Sequence, residues 1–87
     1  MTRKIMTVKM YKHNDFMQLS HLANQVLDDV EVRASNGLNF LAKDLVATMG
    51  LAVAVCLNES IVFDVVYPDY ATKFESFIKN FEVKKNG

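Results

Sequence analysis

Few side chains in this sequence could do chemistry, and they are scattered along it. The candidates are His13, His21, the single cysteine Cys56 and the carboxylate pair Asp28-Asp29. His13 stands in the polar stretch Tyr11-Lys12-His13-Asn14-Asp15, just ahead of a segment with helical apolar spacing. A helix starting there leaves several backbone N–H groups without partners, with the positive end of its dipole behind them. A phosphoryl group carried on an imidazole would be stabilised by those donors. The plainer alternative is an exposed loop histidine with no role. His21 falls between core positions Leu19 and Ala23 of the same segment and is expected on its solvent side or flank. Asp28-Asp29 falls at a helix-to-strand corner, where solvated acids are ordinary. Cys56 sits in an apolar run and reads as a small buried hydrophobe.

These residues assemble into no familiar constellation. The histidines and the cysteine show neither CxxC nor HxxxH spacing, so no metal site is expected. With only three glycines, the chain has no P-loop, Gly-rich dinucleotide turn or nucleophile elbow. No cofactor is implied. The chemistry expected is at most that of a phosphoryl carrier, not of an enzyme with its own acid–base machinery.

Composition narrows the class. Eighty-seven residues make one domain, 1–87, long enough to bury a single core, and 51% hydrophobic content argues against disorder. Ten basic residues balance ten acidic ones, so no net field favours nucleic acid or an anionic membrane. A lone cysteine rules out an internal disulfide and fits a reducing compartment. No signal peptide is visible at the start. The most apolar run, Leu45 to Leu57, is 13 residues, against the roughly 20 needed to span a bilayer. The expectation is a cytoplasmic, soluble protein.

The elements that must position the candidates follow from periodicity. Lys4 to Met10 alternates, with Met6, Val8 and Met10 on one face, and reads as a strand. Asp15 with Gln18 resembles a capping box, Asn14 being the alternative cap, for a helix that ends near Asp28. Its apolar stripe is Phe16, Leu19, Ala23, Val26 and Leu27. Val30, Val32 and Ala34 alternate as a second strand, and Asn36-Gly37 signals a hairpin because both residues tolerate positive φ. Leu38, Phe40 and Ala42 continue as the third strand. Asp44 caps a short helix, Leu45 to Met49, which Gly50 ends in a left-handed conformation. Leu51 to Leu57 is either extended or an irregular crossover. Ile61 to Tyr67 is a central strand stopped by Pro68, and Asp69 caps a last helix whose stripe is Ala71, Phe74, Phe77, Ile78 and Phe81. The order β-α-β-β-α-β-α predicts an α+β open-faced sandwich. Its four-stranded antiparallel sheet carries two long helices and one short helix on one face.

The segment Phe40-Leu41-Ala42-Lys43-Asp44-Leu45-Val46-Ala47-Thr48-Met49-Gly50-Leu51-Ala52-Val53 resembles the histidine-containing phosphocarrier protein (HPr) family of the bacterial sugar phosphotransferase system. The flanking elements fit the family in kind and order from about Met6 to Phe81. Two departures stand out. The family's active-site signature, Gly-x-His-x-Arg-Pro, is replaced by Tyr11-Lys12-His13-Asn14-Asp15-Phe16, without the glycine, arginine or proline. Counted back from Asp44, His13 falls on the family's phosphoacceptor; aligned through Ala23, Val26 and the Val30/Val32 strand, Lys12 does.

The resemblance also places Asp44 at the family's regulatory serine, where a carboxylate is a fixed charge that no serine kinase can switch. A good helix cap is the simpler reading of the same residue. Leu45, Val46 and Met49 match the family's partner-docking patch. The implied function is an HPr-like regulatory or protein-binding relative of the phosphocarriers, the alternative within the family being an active carrier using His13. Implied partners are phosphotransferase-system proteins or a transcriptional regulator, without nucleic acid or membrane insertion. The rival from another class is an unrelated ferredoxin-like domain that binds a small ligand or self-associates through its sheet. That rival would be favoured if Leu45 to Met49 proved to continue a strand.

Overall fold

The computed structural model describes residues 2–84. Four strands and three helices alternate as β1 (Arg3–Val8), α1 (His13–Ala23), β2 (Glu31–Ala34), β3 (Asn39–Leu41), α2 (Leu45–Leu57), β4 (Phe63–Pro68) and α3 (Thr72–Lys79). The strands form one antiparallel sheet in the order β1-β4-β2-β3. The architecture is the α+β open-faced sandwich that the periodicities predict.

The strand with apolar residues on both faces takes a central place, as expected. β4 lies between β1 and β2, aligning Val65 with both Met6 and Val32, and Phe63 with Val8 and Ala34. Met6, Val8, Val32, Phe63, Val65 and Tyr67 turn toward the helices, which supply Phe16, Leu19, Leu51, Val55, Phe74 and Ile78 to the core. On the open face, the Thr7 hydroxyl donates to Asp64 and Arg33 pairs with Glu31 at 2.9 Å. The C-terminal end of β1's outer edge is paired by the segment after α3. Lys9 N–H donates to the Phe81 carbonyl at 3.0 Å and Val83 N–H to the Thr7 carbonyl at 2.9 Å. The other edge, β3, is only three residues long. One edge partly covered and one kept short reduce the free ladder open to aggregation.

Local details differ from the expectations in instructive ways. The hairpin loop holds Ser35, Asn36 and Gly37, with Ala34 N–H donating to the Leu38 carbonyl at 2.8 Å. Only Gly37 has positive φ, at 96°. This is the three-residue loop with glycine in the left-handed position, not a two-residue turn using both residues. Pro68 ends β4 from inside, as its last residue, paired with Arg3.

The largest difference is α2. Gly50 does not end it; the helix runs on to Leu57, 13 residues in all, so the supposed short helix is the longest of the three. A glycine within a helix costs about 1 kcal/mol relative to alanine. Burying a Leu or Val side chain contributes about 1.5–3 kcal/mol, and continuing the helix buries both Leu51 and Val55. Burial outweighs the local penalty.

α1 errs the other way and stops at Ala23 rather than near Asp28. Asn24 closes it, its Nδ2 donating to the Ser20 carbonyl at 2.9 Å and the Lys43 carbonyl at 3.3 Å. Leu27, expected on the apolar stripe, is almost wholly exposed. The chain has to leave the helix early so that Val30 can enter the core. Asp28 and Asp29 hold this corner. Asp28 accepts a hydrogen bond from the Tyr70 hydroxyl at 2.6 Å, and Asp29 pairs with Lys43 at 2.8 Å. Asp69 does not cap α3; Ala71 occupies that position without a side-chain cap.

Candidate functional site

Neither Asp15 nor Asn14 caps α1. Lys12 is the N-cap, in extended conformation (φ −89°, ψ 135°) and with no side-chain hydrogen bond, and His13 is the first helical residue. The amides of Asp15 and Phe16 both donate to the Lys12 carbonyl, at 3.0 and 3.3 Å. Those of His13 and Asn14 lack an intrahelical acceptor, as in any first turn. His13 is exposed.

The imidazole meets a residue from the far end of another helix. His13 Nε2 lies 3.5 Å from Cys56 Sγ, in the last turn of α2. Cys56 is exposed, not buried as its apolar neighbours suggest. The cause is helical phase. Thr48, Leu51, Ala52 and Val55 define the buried face of α2, and Cys56 is one step round from it. That phase is invisible while Leu51 to Leu57 is read as extended. His21 is on the surface beside Gln25, as expected.

Asp44 caps α2 as expected, its Oδ1 accepting from the Ala47 N–H at 3.1 Å. The Thr48 hydroxyl strengthens the same turn, donating to the carbonyls of Asp44 (2.8 Å) and Ala42 (3.1 Å). Beyond the cap, Leu45 is 49% and Val46 84% exposed, while Met49 packs half-buried against the core. The structure adds residues that the sequence reading missed. Val53 and Leu57 are 51% and 85% exposed and continue the Val46 side of the helix. Helical spacing puts Val46, Gly50, Val53 and Leu57 on one stripe. Met17 on α1, one turn beyond His13, is also exposed.

His13 and Asp44 do not share one site. Cys56, beside His13, is 12 residues along α2 from Asp44, about 18 Å at 1.5 Å per residue. The histidine therefore stands at one end of the apolar stripe and the fixed carboxylate at the other.

Chemically the arrangement is spare. A thiol and an imidazole in contact are two parts of a nucleophile pair, which needs a third group to orient the base. Among the described residues, no such group bonds His13, and no cluster of three metal-ligating side chains occurs. A shallow groove of about 330 Å³ lies between the end of α1 and the start of α3, lined by Leu22, Val26, Tyr70 and Phe74, away from His13. The perturbed titratable groups are structural. Burial and the Glu75 carboxylate push the Tyr67 hydroxyl well above its ordinary value. Hydrogen bonds from Tyr67 and Lys4 hold Glu75 below its own. Among the described residues, no helix is long and apolar enough to cross a membrane.

Compared with known proteins, the chain matches no family model, and no curated protein or solved structure is significantly similar to it.

Proposed function

We propose that this chain is an HPr-like protein that works by binding another protein through α2, as a regulatory relative of the phosphocarriers. The observation that carries the reading is the bare face of α2, where Leu45 and Val46 stand exposed directly after the Asp44 cap. An exposed apolar patch of this kind marks a docking surface, and it occupies the positions matched to the family's docking patch. Asp44 beside it supplies a permanent charge where the family carries its switchable serine. Partners of this class are phosphotransferase-system proteins or a transcriptional regulator, met in the cytoplasm.

The active site argues against a working carrier. Lys12, not His13, takes the N-cap position, and the imidazole turns to Cys56. The arginine and proline of the family signature are missing as well. The ferredoxin-like rival gains no support from this segment, since Leu45 to Met49 is helical rather than a continued strand.

The test is to incubate the protein with phosphoenolpyruvate and the system's general phosphotransferase enzyme, following intact mass and backbone amide shifts. The expected result is no acid-labile mass increase, with shifts concentrated at the start of α2. Phosphorylation abolished by His13→Ala would make the protein a carrier. Shifts confined to another surface would overturn the docking reading.

A further inference from the structure

We propose that the uncovered face of α2 is closed by the same face of a second copy, in an antiparallel, two-fold symmetric helix pair. As control of the docking surface this rests on the preceding reading; as a dimer it stands without it.

The stripe is self-complementary. A two-fold axis perpendicular to α2 between Leu51 and Ala52 sets Val46 opposite Leu57 of the other copy, and Gly50 opposite Val53. Leu57 and Val46 are the most exposed large apolar side chains of the helix and cover one another in both halves of the pair. At the centre, the side chain of Val53 enters the gap at Gly50, where a Cβ would meet nothing within 4 Å. That gap lets the helix axes approach to about 8 Å, the short end of helix packing. A closed isologous contact of this kind satisfies both patches at once and propagates no further.

Charge permits the pairing. Leu45–Leu57 contains no Asp, Glu, Lys or Arg, so nothing on the stripe resists desolvation. The antiparallel arrangement sets the two helix dipoles side by side in opposite directions, the attractive sense. It also brings Asp44 of each copy toward the end of the other where Lys12 is exposed beside His13.

The area sets the strength. The exposed parts of Val46, Val53 and Leu57 amount to roughly 400 Å², and with Met17 roughly 500 Å², against about 600–1,000 Å² per partner in specific interfaces. A contact of that size is in the class of small, transient interfaces. The monomer is the form with a free docking face, and concentration or a competing partner decides which form prevails.

Sedimentation equilibrium of the purified protein from about 5 μM to 1 mM tests this without any partner protein. The expected result is a monomer–dimer equilibrium that Val53→Asp weakens at least tenfold with unchanged helical circular dichroism. Gly50→Leu, which fills the central gap and suits the helix of the monomer, weakens it as well. Register is read by oxidation in a Cys56→Ser background. Val53→Cys cross-links to its symmetry mate across the axis, whereas Val46→Cys does not. A monomer at 1 mM, a dimer indifferent to Val53→Asp, or equal cross-linking at both positions would overturn the proposal. None of those results touches the partner-docking reading, which the amide-shift experiment decides separately.

Discussion

His13 Nε2 and Cys56 Sγ stand 3.5 Å apart although 43 residues separate them in sequence. The contact joins the first residue of α1 to the last turn of α2, and both side chains are open to solvent. Native protein is therefore expected to react with a thiol reagent to one equivalent without denaturant. In Cys56→Ser the His13 ring resonances shift at constant pH while those of His21 stay in place. Stability changes by no more than about 0.5 kcal/mol, as for surface substitutions generally. A thiol that reacts only after unfolding would contradict the placement of Cys56.

Asp44 holds the N-terminus of the helix that carries the apolar stripe. Its Oδ1 accepts the Ala47 N–H at 3.1 Å, so Asp44→Ala removes a side-chain cap. The expected cost is about 1 kcal/mol, read as a lower urea midpoint at unchanged slope. Asp44→Asn keeps an acceptor in place and recovers most of the loss. If Asp44→Ala and Asp44→Asn are equally destabilised, the carboxylate acts through charge alone and the cap is not the cause.

Much of this fold is legible in the sequence, and the reasons differ by element. The strands were readable because Met6, Val8 and Met10, then Val30, Val32 and Ala34, alternate with period two and one face is buried. β4 announced its central place by carrying apolar residues on both faces. The C-terminal limits of α1 and α2 were not readable. Gly50 looks like a stop, and only the tertiary burial of Leu51 and Val55 carries α2 past it. Leu27 looks like core, but Val30 needs the chain to turn before it. For the candidate site, the Asp44 cap is legible from local chemistry, and the exposure of Leu45 and Val46 was an expectation of the resemblance alone. Val53, Leu57 and the exposure of Cys56 depend on helical phase over a segment whose period was masked by its uniform apolarity. The His13–Cys56 contact depends on packing between two helices, which no local pattern encodes.

Gly50 gives a direct check on that longer helix. It is helical, its φ is not positive, and a Cβ there meets nothing within 4 Å. Gly50→Ala is thus expected to stabilise the monomer by about 0.5–1 kcal/mol, through the lower entropy of the unfolded chain and better helix propensity. Urea unfolding at low micromolar concentration measures it. Destabilisation by alanine would mean that Gly50 adopts a left-handed conformation and that α2 ends there.

Tyr67, Glu75 and Lys4 form a small network on β4, α3 and β1 whose two shifts predict opposite pH limits. The Tyr67 hydroxyl donates to Glu75 Oε2, which Lys4 also approaches at 3.2 Å. The Tyr67 hydrogen bond first, then that from Lys4, lowers the Glu75 carboxyl from its ordinary 4.5. A carboxyl lowered in the folded state contributes stability that is full above its unfolded value and fades as pH falls through the folded one. Tyr67 is raised above its ordinary 10.0, first by burial and then by Glu75. A raised phenol contributes stability that is intact below its unfolded value and fades as pH rises beyond it. Glu75→Gln should therefore lower the urea midpoint at pH 7, and the gap from wild type should narrow below pH 4.5. Tyr67→Phe should flatten the alkaline loss of stability above pH 10. The Glu75 side chain is 30% exposed and its Lys4 partner 51%, so solvent screens the pair, and the acid-side effect is small and shrinks further in high salt. Parallel curves for wild type and Tyr67→Phe above pH 10 would show that the buried hydroxyl is not what makes the protein sensitive to alkali.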